Sequence, residues 1–208
     1  MLVDGIEQKP PQPGESWSPR VIAAMRAVPR HVFVPELDLE TAYCDAAQPI
    51  GLGQTISQPT VVALMAQALL LEPSHRVLEI GTGCGYNAAV LAKLAAHVYS
   101  IELHRELVAG ASRQLERAGA RNVELFVGDG YRGLPHQAPF DRVVVTAAPE
   151  EIPRALFAQL AEGGVLVLPV GQTGKVQRLL RVRKRDGNAF SEDLGGVMFV
   201  PMVVTSPA

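Results

Sequence analysis

The sequence predicts an α/β protein of Rossmann-like type: a mainly parallel, doubly wound sheet with antiparallel edge strands and an N-terminal helical extension. Three observations predict it. Between residues 76 and 170, short apolar runs alternate with stretches of helical periodicity, the pattern of strands joined by helical crossovers. The first of those runs opens into a glycine-rich turn, Gly81-Thr82-Gly83-Cys84-Gly85. The 208 residues are 48% apolar but only 5% aromatic, which suits a core of Val, Leu and Ala. At this length the chain is expected to form one compact domain rather than two.

Residues 1–17 are Pro-rich and are expected to form an arm of weak structure; they lack the basic start and apolar stretch of a signal peptide. Residues 18–75 should hold a helical segment and an active-site loop. Ser18 stands as an N-cap before Pro19 at the first helical position. Val21, Ile22, Met25 and Val28 then recur at helical spacing until Pro29 ends the helix. Residues 35–53 show turn residues and little periodicity, which reads as loop. A second helix should follow Pro59, with Val61, Leu64, Met65, Ala68 and Leu71 on its buried face.

Residues 76–208 form the expected Rossmann-like core. Strands are placed at 76–80, 97–102, 123–127, 141–146 and 165–170. A helix is placed at 87–95, and a second begins at His104 with Leu107, Ala111 and Leu115 on one face and ends at Gly119. A third spans 152–161 and is closed by Gly163-Gly164. Residues 177–185 and 196–204 read as two last strands with no helix between them, an antiparallel pair at the sheet edge.

Charge and special residues exclude several classes of function. The net charge of −2 offers no whole-chain attraction to nucleic acid or to a membrane surface. The longest apolar run, 61–71, falls well short of the ~20 residues of a membrane span. Cys44 and Cys84 show neither CxxC nor metal spacing and read as free thiols of a reducing cytoplasm. His31, His75, His97, His104 and His136 are scattered without ligand spacing, so structural roles and no metal are expected. The basic run Lys175, Arg178, Arg181, Arg183, Lys184 and Arg185 reads as a sheet edge protected by charge. A weak guide for acidic peptides or RNA is the other reading.

In a doubly wound sheet, ligands bind outside the carboxyl ends of the strands. Glycines at 81, 83 and 85 let the backbone turn sharply and let a ligand approach closely. The dinucleotide fingerprint GxGxxG would need its third glycine at Tyr86, so the spacing is GxGxG and suits a cofactor without pyrophosphate. Glu102, about twenty residues on, can accept both ribose hydroxyls, a feature of NAD and S-adenosylmethionine sites alike. Asp129-Gly130 adds a carboxylate suited to an adenine amino group. Each feature alone has an ordinary reading, as a turn or a solvated strand end. In order at successive strand ends they point to S-adenosylmethionine ahead of a nicotinamide. The stretch Thr146-Ala147-Ala148-Pro149-Glu150 lacks the Asn/Asp-Pro-Pro-aromatic pattern of amine methylation, which favours an oxygen or carboxylate acceptor. A carboxylate, with a reference pKa near ~4, needs no general base.

Pro29-Arg30-His31-Val32-Phe33-Val34-Pro35, Pro49-Ile50-Gly51-Leu52-Gly53-Gln54-Thr55-Ile56-Ser57-Gln58-Pro59 and Val77-Leu78-Glu79-Ile80-Gly81-Thr82-Gly83-Cys84-Gly85-Tyr86 closely resemble the protein-L-isoaspartate O-methyltransferase family. So do Val127-Gly128-Asp129-Gly130, the segment from Val145 to Pro153, and Phe199-Val200-Pro201. The resemblance runs in order from about Pro19 to Met202 and implies the class I S-adenosylmethionine-dependent methyltransferase fold. It implies methyl transfer to the α-carboxylate of isoaspartyl residues in damaged proteins, with repair through a succinimide, by a cytoplasmic monomer without metal, nucleic-acid or membrane partners. It also makes Ser57 the catalytic residue, with Thr55 and Ile56 on the same wall. Cofactor contacts are implied at Thr55, Ile56, Ser57, Glu79, Gly81, Thr82, Gly83, Cys84, Gly85, Asn87, Glu102, Asp129 and Gly130. Substrate contacts are implied at Ser57, Val200 and Pro201. The physical role open to Ser57 is a hydrogen bond orienting the substrate carboxylate; Ser-Gln-Pro spacing equally fits an N-cap, and both readings stand. Cys84 replaces a frequent Ser, Asn87 a Gln and Leu134 a Trp, and Cys44-Asp45-Ala46-Ala47 lacks a common charged pair, which leaves peptide preference open. Alternatives are an aspartyl acceptor in a dedicated peptide, a cofactor-binding protein without catalysis, and an RNA methyltransferase.

Overall fold

The structure is a computed structural model and describes residues 2–8, 10–12 and 15–204. The apolar runs rich in Val and Ile form the sheet: β3 (Arg76–Ile80), β4 (His97–Glu102), β5 (Val123–Val127), β6 (Phe140–Val145), β7 (Leu160–Val170), β8 (Gln177–Arg185) and β9 (Asn188–Val197), preceded by a small hairpin of β1 (Gln48–Gly51) and β2 (Gln54–Ile56). The order across the large sheet is β5-β4-β3-β6-β7-β8-β9. Pairs from β5 through β7 are parallel, and β7-β8 and β8-β9 are antiparallel. Strand order therefore reverses between β3 and β6, which opens a crevice at their carboxyl ends.

The helices are α1 (Leu2–Glu7), α2 (Pro19–Ala27), α3 (Leu39–Ala42), α4 (Pro59–Ala68), α5 (Tyr86–Ala92), α6 (Arg105–Arg117) and α7 (Arg154–Ala158). Alternate strand residues face opposite sides. Val77, Val98, Val144 and Val167 join Met25, Met65 and Leu91 in one apolar cluster, while Leu78, Ile80, Val143 and Leu166 join Leu156 in the other. Both faces of the central strands are thus dry, as parallel sheets require.

The structure departs from the sequence reading in six places. The expected weak arm carries α1, whose Ile6 is buried and whose Asp4 and Glu7 accept hydrogen bonds from Arg26 at 2.6 and 2.5 Å. The prolines at 10 and 11 follow this helix and so do not break it; Lys9, Pro13 and Gly14 lie outside the described residues. The expected loop at 35–53 contains α3 and β1, elements of four residues each, too short to show a period. Its hairpin turns through Gly51, Leu52 and Gly53 at φ of 90°, 53° and 71°. On α4 the buried face is Val62, Ala63, Met65, Ala66 and Ala68, with Val61 and Leu64 only half-buried.

The last helix ends at Ala158, and Gly163-Gly164 lie inside β7 rather than closing the helix. The β6–β7 register shifts between Phe140 and Arg142, so an irregular ladder accommodates that glycine pair. The final strand is Asn188–Val197, reached through a two-residue turn at Asp186 and Gly187, both with positive φ of 50° and 72°. The basic strand is consequently not the edge: β8 is paired on both sides, and β9 lies outside it. Arg178 pairs with Asp193 and Arg181 with Glu192, so the positive strand is matched by an acidic one. Residues 198–204 are not a strand, but Ala148 N–H donates to Val200 O (2.8 Å) and Met202 N–H to Ala148 O (2.9 Å).

Candidate functional site

The strand β3 ends at Ile80, and the chain turns through Gly81, Gly83 and Gly85 at φ of 93°, 54° and 91°, in the left-handed region. Thr146, just after β6, closes the other side of the crevice. Its hydroxyl lies 3.0 Å from Ile80 O and 2.7 Å from Gly81 O. A side chain at Gly81 would collide with that hydroxyl. Glu102 at the end of β4 is buried and holds the loop from the opposite side. Gly83 N–H donates to its Oε2 at 2.9 Å and His104 N–H to its Oε1 at 3.0 Å.

Beneath the loop lies a buried polar chain. Glu79 is completely covered. Asn87 Nδ2 donates to its Oε1 at 2.7 Å, and the Ser100 hydroxyl to its Oε2 at 2.5 Å. The Thr82 and Ser100 hydroxyls are 2.6 Å apart. Burial pushes the Glu79 carboxyl up to about 7, against the downward pull of its hydrogen bonds from Ser100 and Asn87, with Glu102 adding a further upward push.

The hairpin β1–β2 delivers Thr55, Ile56 and Ser57 to the loop. Ser57 does not cap α4: the N-cap position is Gln58, and no side chain there makes a cap hydrogen bond. Asp45 serves the helix instead. Its Oδ1 accepts from Thr60 N–H at 2.9 Å, and its Oδ2 from the Thr60 hydroxyl at 2.7 Å and from Gln58 Nε2 at 3.2 Å. The capping reading of Ser57 is corrected by this arrangement, since a carboxylate from an earlier loop reaches the helix N-terminus first.

Two hollows meet along the glycine loop. One is lined by Thr55, Gly81, Gly83, Glu102, Gly130, Val200 and Pro201, with Thr146, His104 and Met202. The other is lined by Thr55, Ile56, Ser57, Gly81, Thr82, Gly83, Cys84 and Asn87, again with Thr146. Three expected residues lie outside both. Glu79 is beneath the loop. Gly85 packs α5 on α6, where a Cβ would stand 3.2 Å from Ala111 Cβ. Asp129 follows β5, and its carboxylate accepts from Tyr131 N–H at 2.9 Å. The sequence reading missed Thr146 and Ser100. A polar residue inside the apolar run 97–102 was the available signal for Ser100.

These residues fit a sulfonium nucleoside better than a dinucleotide. Among the described residues, no Lys or Arg lines either hollow, where the two charges of a pyrophosphate would favour one. Gly83 N–H, which a phosphate would need, is taken by Glu102. Among the described residues, no group of three His, Cys, Asp or Glu could hold a metal ion, and no helix is long and apolar enough to cross a membrane. Cys44 and Cys84 are free.

The family model for protein-L-isoaspartate(D-aspartate) O-methyltransferase matches residues 8–206. The chain belongs to that family. A protein-L-isoaspartate O-methyltransferase of Azorhizobium caulinodans is 51% identical over 183 residues, covering 88% of this chain and 84% of the relative. A solved protein-L-isoaspartate O-methyltransferase superposes with a TM-score of 0.84 at 30% identity over 96% of this chain; the match spans 64% of that longer chain. The Plasmodium falciparum protein of the same description, solved with S-adenosyl-L-homocysteine, gives a TM-score of 0.84 at 25% identity over 97% of this chain and 96% of its own. The protein is an S-adenosylmethionine-dependent O-methyltransferase of isoaspartyl residues, on a class I methyltransferase sheet.

Proposed function

We propose that methyl transfer takes place where the two hollows meet, with Ser57 as the catalytic residue and the α-carboxylate of an isoaspartyl residue as acceptor. The observation that carries this is that Ser57, with α4 capped by Asp45 instead, lines the same hollow as Gly81, Thr82, Gly83 and Cys84. S-adenosylmethionine supplies an electrophilic methyl on its sulfonium. Ser57 donates a hydrogen bond to the acceptor carboxylate and aims it; Thr55 and Ile56 hold the same wall. A carboxylate is already ionised at neutral pH, so the chain needs to position it and exclude water. The cofactor seat is formed by Thr55, Ile56, Ser57, Gly81, Thr82, Gly83, Cys84, Asn87, Glu102 and Gly130, supported by Glu79, Gly85 and Asp129. Val200 and Pro201 border the peptide. The backbone nitrogen of the following residue then attacks the methyl ester carbonyl and methanol leaves, giving a succinimide whose hydrolysis by water returns some normal aspartyl linkage. In this reading the chain is one domain, in which residues 18–75 lay the active-site loop on the 76–208 core. It works as a cytoplasmic monomer on proteins, without nucleic-acid or membrane partners.

The test compares an isoaspartyl peptide with its aspartyl twin, using wild type and Ser57→Ala. Wild type should methylate the isoaspartyl peptide alone. Loss of one hydrogen bond to a charged group should slow the variant by roughly 10- to 100-fold, while S-adenosylhomocysteine affinity, held by the rest of the seat, falls by clearly less than the rate. Equal labelling of both peptides, or an unchanged rate in Ser57→Ala, contradicts the proposal.

A further inference from the structure

Ser100 lies fully buried in the middle of β4 and touches two functional layers at once. On one side its hydroxyl reaches Glu79, and on the other Thr82, which lines the hollow containing Ser57. The protons of this chain can be counted. With Glu79 ionised, Thr82 donates to Ser100 and Ser100 donates to Glu79, so two protons serve two hydrogen bonds and none is left over. With Glu79 protonated there are three protons for the same two bonds. Asn87 Nδ2 donates to Oε1, which leaves Oε2, facing the Ser100 oxygen, as the position from which the third has an acceptor. It resides on Oε2, the chain reverses, and the surplus O–H emerges at Thr82.

We propose that Ser100 is a positioning residue for the methyl donor: through Thr82 it sets whether the glycine loop turns a hydroxyl proton or a lone pair toward the hollow, according to the charge on Glu79. The proposal rests on the reading of that hollow as the donor's seat. A cationic sulfonium and its ammonium group are favoured by the lone pair and the negative charge, and disfavoured by the proton. The groups that face Glu79 are few. In register, Ser100 of β4 and Val144 of β6 flank it, and Asn87 of α5 donates to it. Its titratable neighbours are Glu102 at the end of β4 and the Cys84 thiol in the loop. Its titration near pH 7 brings the reversal into the working range.

The experiment is equilibrium binding of S-adenosylmethionine between pH 5.5 and 8.5, by calorimetry, to wild type, Ser100→Ala, Ser100→Thr and Thr82→Val, with near-ultraviolet circular dichroism to confirm folding. Wild type should bind about tenfold more tightly at the alkaline end, roughly the net worth of one hydrogen bond to a charged group. Ser100→Thr keeps the relay and should keep the step. Ser100→Ala and Thr82→Val should each flatten it to about threefold or less, and Thr82→Val answers the question if Ser100→Ala fails to fold. Ionisations elsewhere are common to all four proteins and cancel in the comparison. A full step surviving in the folded variants, or no step in wild type, overturns the relay. Absence of S-adenosylmethionine binding to wild type at every pH instead overturns the reading of the hollow.

Discussion

In an Asp45→Ala protein, α4 loses the carboxylate that satisfies its first turn. Thr60 N–H, held at 2.9 Å, becomes one of the orphan donors of a helix start, and the Thr60 hydroxyl and Gln58 amide lose partners at 2.7 and 3.2 Å. Loss of a cap costs about 0.5–2 kcal/mol, and the two side-chain bonds lie where water can partly replace them, so about 2 kcal/mol is expected in all. For a chain of this size that is a fall of about 4–8 °C in Tm. The assay is thermal unfolding followed by circular dichroism, with Thr60→Val as partner. Thr60→Val removes the hydroxyl but not the N–H, and should cost about 1 kcal/mol. Because both changes remove the same contact, the double variant should be less destabilised than the sum of the two singles. An Asp45→Ala protein melting within about a degree of wild type would refute the capping argument, and with it the reason given for the freedom of Ser57.

Glu79 makes stability depend on pH. Its folded value of about 7 exceeds the ordinary 4.5, so the folded chain keeps a proton that the unfolded chain releases. The contribution is complete below the unfolded value and lost as pH rises through the folded one, about 3 kcal/mol in all. Urea unfolding at pH 5 and 8 should show this loss in wild type and not in Glu79→Gln; parallel pH slopes contradict it. Gly85→Ala combines a left-handed backbone, at about 1–2 kcal/mol, with a Cβ 3.2 Å from Ala111 Cβ and 3.3 Å from Leu115 Cγ. A lower denaturation midpoint is expected, with Ala111→Gly recovering only the steric part. Glu192→Ala breaks a pair with Arg181 on the outer strands, where a half-exposed carboxylate contributes at most about 1 kcal/mol. Activity on an isoaspartyl peptide should not change.

Legibility in the sequence followed the length over which a physical pattern could repeat. Residues 76–80, 97–102, 123–127 and 177–185 were read to the residue because apolar runs bounded by turn residues leave little choice. The glycine loop was read from its spacing: Tyr86 in place of a third glycine departs from the dinucleotide pattern, and the structure uses that ring to pack against Phe33. What escaped depends on long-range contacts. The hairpin β1–β2 has too few residues for alternation to show. The docking of α1 needs Arg26 and Trp17, and Trp17 Nε1–H donates to Ile6 O at 2.9 Å. Asp45 is fifteen residues from the amide it caps, beyond any local capping rule. The charge run in β8 looked like an edge because its neutralising partners, Glu192 and Asp193, are on the next strand.

Cys84, the thiol in the glycine loop, lies on the wall it shares with Ser57. Burial pushes that thiol up to about 11, in spite of the nearby Arg30 guanidinium. At neutral pH only about one molecule in ten thousand carries the thiolate, which is the form that acts as a nucleophile. In the proposed donor seat, a thiolate on this wall would compete with the acceptor carboxylate for the sulfonium methyl and end the enzyme's life by alkylation. The burial that raises this thiol therefore also weakens it as a nucleophile on the wall where the donor is proposed to sit.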